Sequence, residues 1–200
     1  TSANFNREPD RSPRPFDVAR DGLVVAEGAG TLILESLERA QARGATILGE
    51  IVGYGTNCDG LHITAPSESG MRGAMALSLR DAGITPAEVD YVNAHGTATD
   101  IGDIAETSAT RAIFERAVPI SSSKSFTGHT MGACGAIEAV FSLAMLHDEF
   151  LAPTRNLEQL DPRCADLDYI RELRRARVDT IMSNNFAFGG VNTSLILRRL

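Results

Sequence analysis

No run of apolar residues in this 200-residue chain approaches the ~20 needed to cross a bilayer, which excludes a membrane-spanning helix. The opening stretch, TSANFNREPDRSPRPFD, has no apolar core and does not read as a secretory signal. Positive charge is scarce: 19 Lys and Arg stand against 26 Asp and Glu, a net charge of −7. That balance argues against nucleic acid as a partner, because phosphate contacts need a basic footprint. Cysteine is scarce as well. Cys58, Cys134 and Cys164 are odd in number and lack CxxC spacing, which fits a reducing, cytoplasmic setting and neither a disulfide framework nor a zinc site. Nucleotide signatures are missing too, since "GHTMGACGA" and "EGAGTL" follow neither GxGxxG nor GxxxxGK[ST]. These glycines read as tight turns and close packing.

What is present is an ordinary globular composition, 43% hydrophobic and 22% charged, with enough length to bury a sizeable core. Residues 1–20, with Pro9, Pro13 and Pro15 among charged side chains, read as a surface loop. "LVVAEGAGTLILES" predicts two strand segments around a glycine turn or bulge. A helix through "ESLERAQARG" should stop at Gly44, and "ILGEIVGYGT" reads as a strand. "SESGMRGAMALSLRDAG" reads as a helix ending at Gly83. The alternation continues with "VDYVNA" as a buried strand and "IGDIAETSATRAIFER" as a helix with Ile101, Ile104, Ala105 and Ser108 on one face. "VPISSSKS" is a strand, "GACGAIEAVFSLAMLHDEF" a very apolar helix, and "DTIMSNNFAFGGVNTSLILRRL" two strands around a loop. Strands alternating with helices imply parallel crossovers, hence an α/β sheet covered on both faces.

Polar residues gather where such sheets put their chemistry, at the C-terminal ends of strands. His95 follows "VDYVNA"; Lys124 and His129 follow "VPISSS"; Phe186 and Phe188 follow "TIMSNN". Singly, each has a plain structural explanation: a capping imidazole, a solvated lysine, a core anchor beside a turn. Together, three strand ends would converge on one crevice. Two neutral imidazoles there could donate hydrogen bonds to one carbonyl oxygen and stabilise an enolate. Lys124, with the carboxylate of Glu106 nearby, would fix imidazole orientation and protonation. A metal site is the competing idea, and it fares worse because neither histidine has an HxxxH or HxH partner.

"DYVNAHGTATDIGDIAE", "SSSKSFTGHTMGACGAIEA" and "MSNNFAFGGVNTSLIL" resemble the three C-terminal motifs of the β-ketoacyl-[acyl-carrier-protein] synthases. "RPFDVARDGLVVAEGAGTLILE" resembles the stretch that closes the first half of that family's fold. The resemblance implies a thiolase-like, layered α-β-α-β-α fold of which this chain is mainly the C-terminal half, with residues 1–45 ending the first half and 46–200 forming the second. It implies that His95 and His129 hold a malonyl thioester during decarboxylation, with Lys124 and Glu106 in their network. Thr97 and Thr99 would bind the pantetheine arm. Phe188 would be the gate whose N–H helps form an oxyanion hole, with Phe186 beside it. Arg14 would lie near the tunnel mouth, where a carrier protein docks.

The resemblance further implies no cofactor beyond the phosphopantetheine of an acyl carrier protein, and no metal. The expected partners are that carrier, the N-terminal half or a complementary ketosynthase chain, and a homodimer or heterodimer. Two departures stand out. Ala187 replaces a glycine of the family, and would be strained if that position needs positive φ. Cys134 replaces an alanine, and is expected to be a small buried hydrophobe. The family's nucleophilic cysteine has no counterpart among Cys58, Cys134 and Cys164, so the chain carries a decarboxylation side without an acylation side. The alternative is a non-catalytic partner subunit that sets chain length in a ketosynthase heterodimer.

Overall fold

The computed structural model describes residues 1–200. Its core is a six-stranded mixed sheet. In chain order the strands are β1 (Glu50–Cys58), β2 (Tyr91–Asn93), β3 (Pro119–Ser121), β5 (Asp168–Tyr169), β7 (Thr180–Phe186) and β8 (Val191–Arg198), arranged spatially β1-β8-β7-β2-β3-β5. β7, β2, β3 and β5 run parallel, while β8 and β1 complete one side antiparallel. A two-stranded ribbon, β4 (Phe150–Leu151) with β6 (Arg174–Arg175), lies apart.

The side-chain period of two sorts the strands into two faces. Val92, Met182 and Ile196 join one core with helices α2 (Glu68–Ala82) and α3 (Asp100–Phe114). Their neighbours Tyr91, Ile181 and Leu197 join the other with α5 (Cys134–Asp148). The sheet is thus covered on both faces, as the alternation of elements implied. A short α4 (Lys124–Thr127) turns the chain after β3. Helix ends follow local chemistry. α1 (Leu37–Ala42) starts where the Ser36 side chain accepts the Arg39 N–H, and Gly44 follows it at φ +67°. α2 starts at Ser67 in the same way and stops on left-handed Gly83.

Two expectations fail. Residues 23–34 form no strand pair; their one ladder contact is a parallel bridge from Val25 to His129, and Ile33 and Leu34 stay 80% and 71% exposed. Apolar alternation supplies side chains for a strand, but no neighbouring edge in this chain offers the second row of hydrogen bonds. Residues 13–17 are buried instead of forming a surface loop, with Phe16 in the core. Asp17, Asp103 and Asp161 supply the polar partners that let this charged segment sink. On α3, Asp103, Glu106, Thr107 and Thr110 turn inward, Ile104 and Ala105 pack against the core with Ala109 and Phe114, and Ile101 is 52% exposed. Hydrophobic periodicity does not mark Asp103, Glu106, Thr107 and Thr110, because they are polar and each finds a hydrogen-bond partner inside the chain.

Candidate active site

Three strand ends meet at one cavity of about 850 Å³. The turn after β2 brings His95, Thr97 and Thr99 to it; the stretch after α4 brings His129; the β7–β8 turn brings Phe186 and Phe188.

His95 is placed through its backbone. Glu106, projecting from α3, accepts the N–H of His95 with one carboxylate oxygen and that of Gly96 with the other, both at 2.7 Å. Gly96 has no room for a side chain, because a Cβ there would lie 2.6 Å from that of Ser122. Ser122 reaches across from the β3 end and donates to the Gly96 carbonyl at 2.7 Å, tying the two loops together. Ala98 sits at φ +62°, unfavourable for an L-residue, and Gly22 N–H holds its carbonyl at 3.0 Å. The hydroxyls of Thr97 and Thr99 meet at 3.0 Å.

His129 is clamped on the other side. Its N–H donates to Val24 at 2.7 Å, and its carbonyl accepts from Ala26 at 3.0 Å. The preceding Gly128, at φ +68°, lies so close to Val24 and Ala26 that a Cβ would collide with both. The "LVVAEGAG" segment therefore serves as a brace for this histidine. Met131 N–H donates to Nδ1 of His129 at 3.1 Å, so Nδ1 is an acceptor and the neutral ring carries its proton on Nε2.

The two imidazoles stand edge to face, centroids 5.4 Å apart, and Phe186 flanks His95 at 6.0 Å. Both stay neutral at pH 7. Burial, then Lys124 and the other imidazole, drive His95 well below its ordinary value. Burial and then Lys124 push His129 down to about 4. Burial pushes Glu106 the other way, up to about 7, against the pull of its two backbone donors.

Lys124 is 2% exposed, and its ammonium pairs with Glu138 of α5, whose other oxygen accepts from Asn185 of β7 at 3.0 Å. The carboxylate in direct contact with Lys124 is thus Glu138, while Glu106 serves the histidine's peptide group. Glu138 and Asn185 escaped the sequence reading. A single charge inside the apolar run "GAIEAVFSLAML" was the available signal.

A family model described as "Beta-ketoacyl synthase, C-terminal domain" matches residues 48–158. The chain belongs to the β-ketoacyl synthase family. The 3-oxoacyl-[acyl-carrier-protein] synthase 1 of Escherichia coli K12 is 43% identical over 200 residues, covering 100% of this chain and 48% of that protein. The crystal structure of a β-ketoacyl synthase from Burkholderia phymatum STM815 is 56% identical at a TM-score of 0.97, covering all of this chain and 49% of the other. A type II PKS acyl-carrier protein in complex with its ketosynthase, bound to the hexaketide, matches at 34% identity and a TM-score of 0.93, again over 100% of this chain and 50% of that one. The chain therefore spans about half the length of the relatives it matches. Its fold is the thiolase-like fold of these ketosynthases.

Against the family's pattern, two departures resolve. Ala187 lies at φ −92°, ordinary extended backbone, so the expected strain is absent; the left-handed positions of this turn are Gly189 and Gly190. Ala187, Gly189 and Gly190 N–H groups bond to Val191, Ile63 and Ala187 carbonyls, leaving Phe188 N–H outside that set. Phe188 is 58% exposed at the cavity mouth, while Phe186 is buried. Cys134 is buried, as expected, but its sulfur lies 3.1 Å from Nδ1 of His129.

Arg14 is a correction. It is 2% exposed, bonded to Asp17 at 3.0 Å and to Glu158 at 3.2 Å, and stacked over Phe5. Its charge is consumed inside the chain and offers nothing to a docking partner.

Proposed function

We propose that this chain forms the decarboxylation side of a β-ketoacyl-[acyl-carrier-protein] synthase acting in fatty acid or polyketide synthesis. What carries the proposal is the pair of neutral imidazoles on one cavity, one of them locked with its proton on Nε2 by a backbone donor. A malonyl thioester enters with its carbonyl oxygen between His95 and His129. As the C–C bond to the carboxylate breaks, CO₂ departs and charge gathers on that oxygen, where the two ring N–H groups stabilise it. Neutral donors suit this task, because an imidazolium would protonate the enolate that must attack next.

Burial first, and then the Lys124 ammonium paired with Glu138, holds both imidazoles below their ordinary basicity. The Thr97 and Thr99 hydroxyls would bind the pantetheine arm delivered by an acyl carrier protein, the only carried group the reaction needs. Phe188 and Phe186 would gate the acyl side, with Phe188 N–H donating to the acyl thioester oxygen. In this scheme residues 1–45 close the first thiolase-like half, residues 46–200 form the second, and a complementary half or partner chain supplies the nucleophilic cysteine. A homodimeric or heterodimeric cytoplasmic enzyme follows. This chain alone would not condense. Retention of His95, Lys124, His129 and both threonines favours this over a non-catalytic subunit that sets chain length.

The test is CO₂ release from malonyl-carrier protein by the complete synthase. His129→Ala should lower it at least about 100-fold, the scale of a lost oxyanion donor. Undiminished release would remove His129 from the mechanism.

A further inference from the structure

Cys134 opens α5, 3% exposed, with its sulfur 3.1 Å from Nδ1 of His129 and 3.3 Å from Oγ1 of Thr130. It does not line the cavity, so its thiol meets no substrate. Its direction of bonding follows from its neighbours. Met131 N–H already donates to Nδ1, which makes Nδ1 an acceptor. The sulfur can therefore approach that nitrogen favourably only by donating its own S–H. Thr130, buried alongside, can in turn donate its hydroxyl proton to the sulfur.

We infer that Cys134 is a positioning residue whose S–H donates to Nδ1 of His129, fixing the ring and strengthening its Nε2–H as a donor. The chain Thr130 O–H to Cys134 S–H to His129 Nδ1 draws electron density from the far side of the imidazole. A donor on Nδ1 also opposes protonation there, in the same direction as burial and Lys124. The other ionisable groups around this ring are Lys124, held by Glu138, and His95; the bracing residues Val24, Val25 and Ala26 carry no charge.

This inference rests on the proposed role of His129 in decarboxylation, so the experiment includes a readout that needs no turnover. The S–H stretching band lies where proteins absorb little else, and the chain has three cysteines. In the complete synthase, the band lost in Cys134→Ala identifies this thiol. It should sit at the lowered frequency of a hydrogen-bond donor and move upward in His129→Ala. A band unmoved by His129→Ala overturns the inference, whatever the enzyme's activity.

Kinetics supply the second arm. Cys134→Ala should lower kcat for malonyl-carrier decarboxylation about threefold, the size of one modest hydrogen bond, with KM unchanged. Cys134→Ser opens nearly the same space but keeps a donor, and should recover most of the loss. Equal losses in Ala and Ser would mean packing alone, and no loss in Ala would mean no role; either result overturns the inference. If the complete synthase releases no CO₂ at all, the functional proposal fails while the band still tests the hydrogen bond.

Discussion

Glu106 illustrates how a single buried carboxylate can organise a site without touching its chemistry. Its two oxygens each accept one backbone N–H, from His95 and from Gly96. Glu106→Gln cannot reproduce this, because the carboxamide presents one oxygen and one NH₂ group. The NH₂ would face a backbone donor, leaving one buried N–H unpaired at a cost of about 1–3 kcal/mol. The expected outcome is a lower urea midpoint together with reduced decarboxylation, as the His95 turn loosens. A variant as stable as wild type would show that the turn holds itself. Glu138 does the complementary task for Lys124, and the two carboxylates divide between peptide and ammonium a job that the motif alone assigned to one residue.

At the scale of elements, close approaches of backbone decide what can move. α2 lies directly on β1: a Cβ at Gly55 would stand 2.1 Å from the Ala74 carbonyl oxygen, and one at Gly53 would stand 2.3 Å from that of Ser78. Gly55→Ala should therefore push α2 off the sheet and cost about 1–3 kcal/mol, as overpacked cores do. Calorimetry checks this, and an unchanged melting temperature would mean that the helix shifts freely.

Much of this architecture was legible from local pattern. Gly44 and Gly83 end helices because a left-handed residue closes the last turn, and that signal needs no tertiary knowledge. The inward face of α3 was not legible, because Asp103, Glu106, Thr107 and Thr110 look like a solvated stripe until their buried partners are known. Arg14 was misplaced for the same reason. One of its partners, Glu158, lies far along the chain, and sequence distance carries no sign of that pairing. The imidazole pair was legible as residue types on strand ends. The brace from Val24 and Ala26 on His129 was not, since it needs only backbone atoms.

For the whole molecule, the decisive feature is an apolar outer surface. Val140 and Phe141 on the outer side of α5 are 42% and 37% exposed, and Ile33 and Leu34 are more exposed still. Apolar patches beyond a few hundred Å² are rare on free-standing domains. The chain on its own is expected to self-associate and to bind a hydrophobic dye, and both behaviours should vanish in the complete synthase. A sharp monomeric sizing peak with no dye binding would show that this surface tolerates water.

Lys124 is the chain's only lysine, and it lies buried against Glu138. Every other cationic side chain apart from the histidines is an arginine. Thioesters are acylating agents, and a free primary amine on a protein surface attacks them slowly without any catalyst. Guanidinium groups, far weaker nucleophiles, do not. If the chain acts as proposed, among activated acyl groups, it would present no exposed side-chain amine for them to block, and its own surface would stay unmodified over long exposure to them.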